Sequence, residues 1–157
     1  MGQPAVITAL LAALLLRAVA AGWAGENPTR IKFGDYFTEK NTVVDFIRPN
    51  FRLTYTEKLK KLRGKPVELV AYMAPIIPYD GSYFMAIKLP FEECPFCSPA
   101  FDWAACTTVF MKKGHQARFL GGPVRVVGIL EIGHKKDVTG LRSWVRIKDA
   151  IVSRYKQ

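Results

Sequence analysis

Apolar and polar residues alternate with a period of two along most of the chain beyond Gly64. In P-V-E-L-V-A-Y-M-A, residues 66–74, the apolar side chains at alternate positions fall on one face. A period of two is typical of a β-strand that buries one face. The same pattern recurs at 83–89, 106–111, 123–132 and 141–147. We therefore predict five short strands.

A helical pattern precedes these strands, at residues 54–62. Leu59 and Leu62 lie three positions apart among lysines, and Gly64 supplies a stop signal. One short helix cannot supply the crossover connections that parallel strands need. The pattern therefore predicts a mainly-β domain over residues 54–157, a small five-stranded antiparallel barrel with one short helix before it. The oligonucleotide- and oligosaccharide-binding architecture, the OB-fold, matches this barrel in size and strand count.

One glycine interrupts the fourth predicted strand. Gly128 stands in the middle of P-V-R-V-V-G-I-L-E-I. A glycine inside a strand marks either a bend or a close approach of another part of the backbone. We expect one of these two features at Gly128.

Two different segments precede the barrel domain. Residues 25–53 mix aromatic and turn residues and predict an irregular lead-in that packs its Phe and Tyr side chains on the domain. Before them, residues 5–16 read A-V-I-T-A-L-L-A-A-L-L-L, an uncharged run too short to span a bilayer comfortably. Small residues follow at 18–20, as a signal peptidase requires. We therefore interpret residues 1–24 as a secretory signal peptide, with an uncleaved N-terminal anchor or a core helix as the alternatives.

The chain has a large excess of positive charge. It carries 23 Lys and Arg against 13 Asp and Glu, a net charge of +10 at pH 7. Loss of residues 1–24 would remove Arg17 and no acidic residue, which leaves +9. Such an excess favours acidic partners, namely an anionic membrane surface, an acidic protein or a polyanionic glycan, unless it serves solubility alone. Export makes nucleic acid the least suitable partner.

The fifth predicted strand carries a candidate surface for such a partner. Alternation places four side chains on one side of it: Arg142, Trp144, Arg146 and Lys148. An aromatic ring between guanidinium groups can stack on a ligand while the cations meet an anion. The alternative is that the arginine stems cover Trp144 on an ordinary barrel exterior.

The three cysteines lie close together in the sequence. Cys94 and Cys97 form a C-x-x-C within E-C-P-F-C-S-P, in a predicted loop over residues 91–105, and Cys106 begins the third predicted strand. In an oxidising compartment, a disulfide that leaves one thiol over is the ordinary outcome. The alternative is a zinc site, because tetrahedral zinc takes thiolate and imidazole ligands. Its candidate ligands are Cys94, Cys97 and Cys106, with His115, Asp102 or His134 as the fourth.

Thiol redox chemistry is a third interpretation of the C-x-x-C. A thioredoxin-like site lies at the start of a helix, where the helix dipole and backbone N–H groups stabilise the thiolate. Here Ser98 and Pro99 follow the motif within an antiparallel pattern, so this context is missing. The chain also has no G-x-S-x-G and no H-E-x-x-H motif, so the sequence names no hydrolytic nucleophile.

Five motifs follow one another within residues 54–152: L-R-G-K-P-V-E-L-V-A-Y-M-A-P, S-Y-F-M-A-I, E-C-P-F-C-S-P, P-V-R-V-V-G-I-L-E-I-G and a final aromatic strand. This order resembles a bacterial domain-of-unknown-function family of small exported proteins. The resemblance implies an OB-like barrel in the periplasm or on the inner membrane of a Gram-negative bacterium. Because some members are encoded beside FtsX-like ABC permeases, including systems linked to zinc uptake, it also implies an envelope ABC transport system as partner.

The chain departs from this family at two points. Many members resemble lipoproteins, whereas the first cysteine here is Cys94, far beyond the signal segment. The loop cysteines of the family are usually closer together than Cys94 and Cys97. The resemblance therefore supports fold and export more than it supports a metal role for these two residues.

From these patterns we predict an exported, non-catalytic binding or accessory protein, with metal handling through the cysteine loop as its candidate activity and zinc as the candidate ion. There are two alternatives. One is a periplasmic thiol–disulfide oxidoreductase that uses the C-x-x-C. The other is a structural interaction module that uses the cationic face of the fifth strand.

Overall fold

The computed structural model describes residues 27–39, 54–75, 77–90, 106–136 and 142–156. Its elements are β1 (Thr29–Ile31), a 3₁₀ turn (Phe33–Asp35), β2 (Phe37–Glu39), β3 (Thr54–Tyr55), α1 (Glu57–Lys61), β4 (Pro66–Met73), β5 (Tyr83–Ile87), β6 (Thr107–Met111), β7 (Pro123–Lys136) and β8 (Arg142–Arg154). The prediction of a mainly-β chain with one short helix before the main strands is confirmed. Within the described residues, no helix is long and apolar enough to cross a membrane.

The five predicted strands correspond to β4 to β8, and these close into a ring. β4 lies beside β5, β5 beside β6, β6 beside β8, β8 beside β7, and β7 pairs back onto β4. β6 runs parallel to β8, and β1 joins the sheet parallel to β4. The prediction of a five-stranded antiparallel barrel is therefore wrong in two respects, since the sheet has six strands and is mixed. Alternation could not reveal this, because its period is the same in parallel and antiparallel strands.

The core fills the inside of this ring with the alternate side chains that the sequence pattern selects. Val67, Leu69 and Ala71 of β4 are buried against Val126 of β7 and Ile147 of β8. Along β7, the positions on the other face are more exposed, and burial alternates from Pro123 to Glu131, whereas β5 is buried on both faces from Phe84 to Ile87. Burial of apolar area at these positions is the main stabilising term of the barrel.

Gly128 lies where β8 crosses β7 most closely. A Cβ atom at Gly128 would lie 2.4 Å from Ile147 Cγ2 and 2.6 Å from the carbonyl oxygen of Lys148. The register of the two strands shifts between Val127 and Ile129, which is a bulge around this glycine. The predicted bend or close approach is confirmed, and both features occur together.

The segment predicted as an irregular lead-in contributes regular structure. β1 pairs with β4 from Thr29↔Val67 to Ile31↔Leu69, and Tyr36 is fully buried in the core. The Tyr36 hydroxyl shares a hydrogen bond of 2.6 Å with Thr107 Oγ1 of β6. Within residues 27–39, Phe33, Tyr36 and Phe37 pack on the core, and this part contains β1, the 3₁₀ turn and β2 rather than irregular structure alone. Residues 1–26, which include the predicted signal peptide, and residues 40–53 lie outside the described residues.

The predicted helix at 54–62 forms over a shorter range. Thr56 caps α1, because its hydroxyl accepts a hydrogen bond of 3.2 Å from the Leu59 amide. Leu59 is fully buried, and Leu62 ends the helix half-buried against the core. These two leucines fix the helix over one end of the barrel. The Lys65 carbonyl then accepts the Leu130 amide at 3.0 Å, which ties the end of the helix to β7.

Candidate functional site

Of the predicted zinc ligands, the structure describes Cys106, His115 and His134, while Cys94, Cys97 and Asp102 lie outside the described residues. Cys106 precedes β6 and is buried. It belongs to a small cluster with Ala74, Met85 and Ile87, separate from the main core. The described end of the cysteine loop is thus packed in a sulfur-containing apolar cluster.

The structure does not bring Cys106 and His115 together. Cys106 lies before the first residue of β6, and His115 lies beyond the last. At about 3.3 Å per residue, the strand between them is roughly 13 Å long, whereas ligands of one zinc ion each lie about 2.0–2.3 Å from it. His134 is exposed on β7, with its ring 5.4 Å from that of Trp144. Among the described residues, no three His, Cys, Asp or Glu side chains cluster as metal ligands would.

Arg146 does not lie on the exposed cationic face that alternation predicts. Only 3% of the residue is exposed. Its Nε donates a hydrogen bond of 2.7 Å to Glu131 Oε2, and its Nη1 donates to the carbonyl oxygen of Gly133 at 2.8 Å and of Ser143 at 2.9 Å. Gly133 has a positive φ of 124° and lies in a second bulge, between Ile132 and Lys135. The hydrogen bonds of Arg146 therefore stabilise this bulge, and its charge lies inside the protein rather than on an exposed face.

Glu131 binds the second predicted cation of that face as well. Lys148 Nζ lies 3.2 Å from Glu131 Oε1. Burial alone would raise the pKa of Glu131, but the hydrogen bonds and charges of Arg146 and Lys148 outweigh it and hold the pKa below its usual value. We call Glu131, Arg146 and Lys148 the hairpin base. In the hairpin base, the carboxylate of Glu131 forms ion pairs with both cations.

A different cationic cluster lies further along the same two strands. Lys136 and Arg142 are directly opposite each other across the β7–β8 pair, and Lys135 is opposite Ser143. All three cations are exposed, and in the part of the chain that the structure describes none of them forms an ion pair. We call Lys135, Lys136 and Arg142, with the rings of His134 and Trp144 behind them, the hairpin tip.

The hairpin tip is held rigidly to the barrel by Tyr55 of β3. The Tyr55 hydroxyl donates to the carbonyl oxygen of Trp144 at 3.0 Å and accepts from the Gly133 amide at 3.1 Å. Burial of this hydroxyl raises the pKa of Tyr55. Its ring packs on Phe37 with centroids 5.3 Å apart. The side chains of the tip therefore project from a fixed platform.

A second carboxylate fixes the other side of the sheet. Glu68 of β4 is mostly buried and accepts a hydrogen bond of 2.7 Å from Arg30 Nε of β1 and another of 2.7 Å from Arg125 Nε of β7. Burial tends to raise the pKa of Glu68, and the two arginines reverse this effect and lower it. This clamp joins β1, β4 and β7. Glu68 and Glu131 thus neutralise cations within the fold, and the surplus positive charge stays at the surface.

Sequence reasoning found half of the hairpin tip and missed the rest. Arg142 and Trp144 were predicted as part of a binding face, whereas Lys135 and Lys136 were not assigned to any site. Their signal in the sequence is the run G-H-K-K, which ends at Lys136, six positions before Arg142. In a hairpin, residues on both sides of the turn face each other, so basic residues there share one surface.

Comparison with solved structures identifies a similar fold. The structure resembles the crystal structure of a DUF3299 family protein from Pseudomonas aeruginosa PAO1, with a TM-score of 0.56, 16% sequence identity, and coverage of 84% of this chain and 99% of that one. No protein-family model matches the sequence, and no curated protein matches it. The predicted resemblance to a bacterial family of unknown function is therefore supported at the level of the fold.

Proposed function

We propose that this protein is an exported, non-catalytic accessory protein that binds an acidic partner protein through the hairpin tip. The observation that carries the proposal is the direct opposition of Lys136 and Arg142 across the hairpin. Like charges opposite each other destabilise a β-pair. A negatively charged partner between them would remove this repulsion.

The fold supports this placement of the binding surface. The ring order, with β6 parallel to β8, supports an OB-like barrel in which β4 is the first strand and β7 and β8 are the fourth and fifth. In OB-folds, the loop between the fourth and fifth strands is one of the ligand-binding loops. The hairpin tip occupies that position.

The shape of the tip favours a protein partner over a membrane. β6 pairs with β8 only from Val145 onward, so in the described chain residues 142–144 pair with β7 alone. The outer edge of this two-stranded segment of β7 and β8 is therefore exposed, and so are its cations. Trp144 is half-buried with its ring near that of His134, so the described part of the tip presents cations and no protruding apolar side chain. An envelope ABC transport system, implied by the family resemblance, is the kind of partner that could supply an acidic surface.

The test uses a short poly-glutamate peptide as an acidic probe and NMR to locate it. Amide shifts are expected at 134–136 and 142–144, and the triple variant Lys135→Gln, Lys136→Gln, Arg142→Gln is expected to weaken binding about tenfold. The matched control is Lys61→Gln, Lys88→Gln, Lys156→Gln, which removes the same charge at exposed sites elsewhere on the protein. An equal loss in both variants would show that net charge alone binds the peptide, and the proposal would be rejected.

Metal handling through the cysteine loop is a second candidate function. The favouring observation is that Cys106 shares its buried cluster with Met85, because thiolate and thioether sulfurs suit soft metal ions. Protein purified from the periplasm is expected to retain zinc after dialysis and to lose it in Cys106→Ser. Retention of the same zinc by Cys106→Ser, or a Cys106 disulfide stable to mild reductant, would contradict this candidate.

A further inference from the structure

The opposite end of the barrel carries a second cationic surface, which the proposed function does not use. The β7–β8 ladder runs from Lys136↔Arg142 at the hairpin tip to Val124↔Arg154 at its other end. At about 3.3 Å per residue, these ends are separated by roughly 40 Å of strand. The loops at 77–82 and 112–120 lie at this other end. We call Lys112, Lys113, Arg118, Tyr79 and Phe119 the loop-end surface.

The two loops are packed into one unit. The Ala117 amide donates a hydrogen bond of 2.8 Å to the Gly81 carbonyl. Gly81 has a positive φ, and a Cβ on it would lie 3.0 Å from the Ala117 carbonyl oxygen, so the two backbones touch. The Lys112 amide is held at 3.0 Å by the Ala150 carbonyl of β8. The side chains of both loops therefore keep a fixed relation to the barrel and to each other.

Positive charge dominates the groove between these loops. The groove has a volume of about 530 Å³ and is lined by Lys112, Lys113 and Arg118, with Asp80 as the one carboxylate among the described residues around it. Asp80 already accepts the Ser82 amide at 3.0 Å. None of the three cations forms an ion pair within the described part of the chain. The groove therefore presents an excess of positive charge, which favours the binding of anions.

Two large aromatic side chains protrude beside the groove. Tyr79 is fully exposed and Phe119 is 56% exposed, and each lies two residues from the Gly81–Ala117 contact. They are two of the four large hydrophobic side chains exposed in the described chain. Protruding aromatics beside basic residues are typical of proteins that contact lipid, because the ring enters the interface while the cations meet headgroups.

We propose that the loop-end surface docks on an anionic membrane. Lys112, Lys113 and Arg118 meet lipid phosphates, and Tyr79 and Phe119 enter the interfacial layer. An acidic protein is the less suitable occupant, because a flexible lipid surface adapts to two convex aromatics without a matching pocket. The proposal is independent of the hairpin tip, and together the two surfaces would let the protein hold an acidic partner close to the membrane.

The test measures binding to vesicles of phosphatidylcholine with about one third phosphatidylglycerol, compared with phosphatidylcholine alone. The protein is purified from the periplasm of an expression host, and its amino terminus is determined by mass spectrometry. An apolar amino-terminal segment would bind both vesicles alike, so the ratio of the two affinities isolates the cationic contribution. Because each basic residue contributes about fivefold to anionic membrane binding, Lys112→Gln, Lys113→Gln, Arg118→Gln should abolish the preference for anionic vesicles.

The control variants separate this surface from net charge. Lys135→Gln, Lys136→Gln, Arg142→Gln changes the net charge equally and should leave vesicle binding within about twofold. The aromatic variant Tyr79→Ser, Phe119→Ser keeps every charge and should weaken binding at least about fivefold. All positions are exposed or half-buried, and circular dichroism confirms that each variant is folded.

Three outcomes would overturn the proposal: equal loss of vesicle binding in both charge variants, no effect of the aromatic variant, or no anionic preference while poly-glutamate shifts the amides of residues 112–118. The last outcome would assign the loop-end surface to an acidic protein. Failure of the peptide test at the hairpin tip leaves the vesicle test unaffected, because the two tests use different probes and locate binding at opposite ends of the barrel.

Discussion

The base and the tip of the β7–β8 hairpin carry similar residues but treat charge in opposite ways. At the base, Arg146 is buried and bound to Glu131. At the tip, four positions earlier on the same strand, Arg142 is exposed and faces Lys136. Arg146, buried beside an acid, stabilises the fold. Arg142, exposed beside another cation, is available to a partner.

The difference between Arg146 and Arg142 depends on the residue of β7 that lies opposite each of them, since both are arginines. Glu131 is the residue that Arg146 meets in the β7–β8 register, whereas the residue opposite Arg142 is Lys136. A buried charge needs a partner and hydrogen bonds to offset its desolvation, and Arg146 has both. The tip avoids this requirement because water reaches its cations.

The largest expected effect is the loss of the arginine at the base. Arg146→Ala should destabilise the protein by about 2–4 kcal/mol, because it leaves Glu131 without its buried partner and removes the Nη1 donor from the Gly133 and Ser143 carbonyls. Urea denaturation measures the free energy of unfolding. Arg142→Ala is the matched control and should change it by no more than about 0.5 kcal/mol. Similar values for the two variants would refute the contrast between base and tip.

A medium effect is expected from acidification. The pKa of Glu131 is lowered in the folded protein, so its ionised form contributes stability above the unfolded-state pKa of about 4.3. This contribution is lost as the pH falls through the lower, folded-state pKa. The urea midpoint should therefore fall below about pH 5 in the wild type and fall less steeply in Glu131→Gln.

Glu68 titrates in the same direction and leaves a residual slope in Glu131→Gln. Lys135→Gln, at the tip, should keep the wild-type pH dependence. A wild-type slope in Glu131→Gln would show that the hairpin base contributes nothing to acid stability.

The smallest effect is expected at the tip, and its sign is opposite. Lys136→Glu turns the like pair with Arg142 into an opposite pair and should stabilise the protein by about 0.2–1 kcal/mol. The same change should weaken poly-glutamate binding. Thermal unfolding and peptide titration of one sample measure both quantities. A variant that loses stability and binding together would show that the tip is structural, like the base.

The parts of the fold that repeat a simple period could be predicted from the sequence. The positions of β4 to β8 and their inward faces follow from alternation, and the glycine at position 128 indicated a close approach, because a Cβ there would lie 2.4 Å from Ile147 Cγ2. The end of each strand was less predictable. β7 continues beyond the predicted residue 132 to Lys136, and β8 continues beyond the predicted residue 147 to Arg154. Most of the added residues are exposed or half-buried, so burial does not impose an alternation there.

The parts that depend on distant partners could not be predicted. The burial of Arg146 requires Glu131 and a bulge at Gly133, which alternation along β8 does not encode. The strand β1 is only three residues long, and its pairing depends on β4, some forty positions away. The site residues Lys135 and Lys136 became a surface only once the hairpin register placed them opposite β8.

The clamp of Arg30, Glu68 and Arg125 has a consequence for the integrity of the sheet. β1 covers the edge of β4 at residues 67–69, and besides this three-residue pairing it is held by the buried side chain of Ile31 and by Arg30 on the mostly buried carboxylate of Glu68. A strand so short opens locally at a lower free energy than the whole barrel. Each opening would expose the backbone N–H and C=O groups of residues 67–69, which can pair with another chain, so the ion pair of Glu68 with Arg30 would help to protect this edge from self-association.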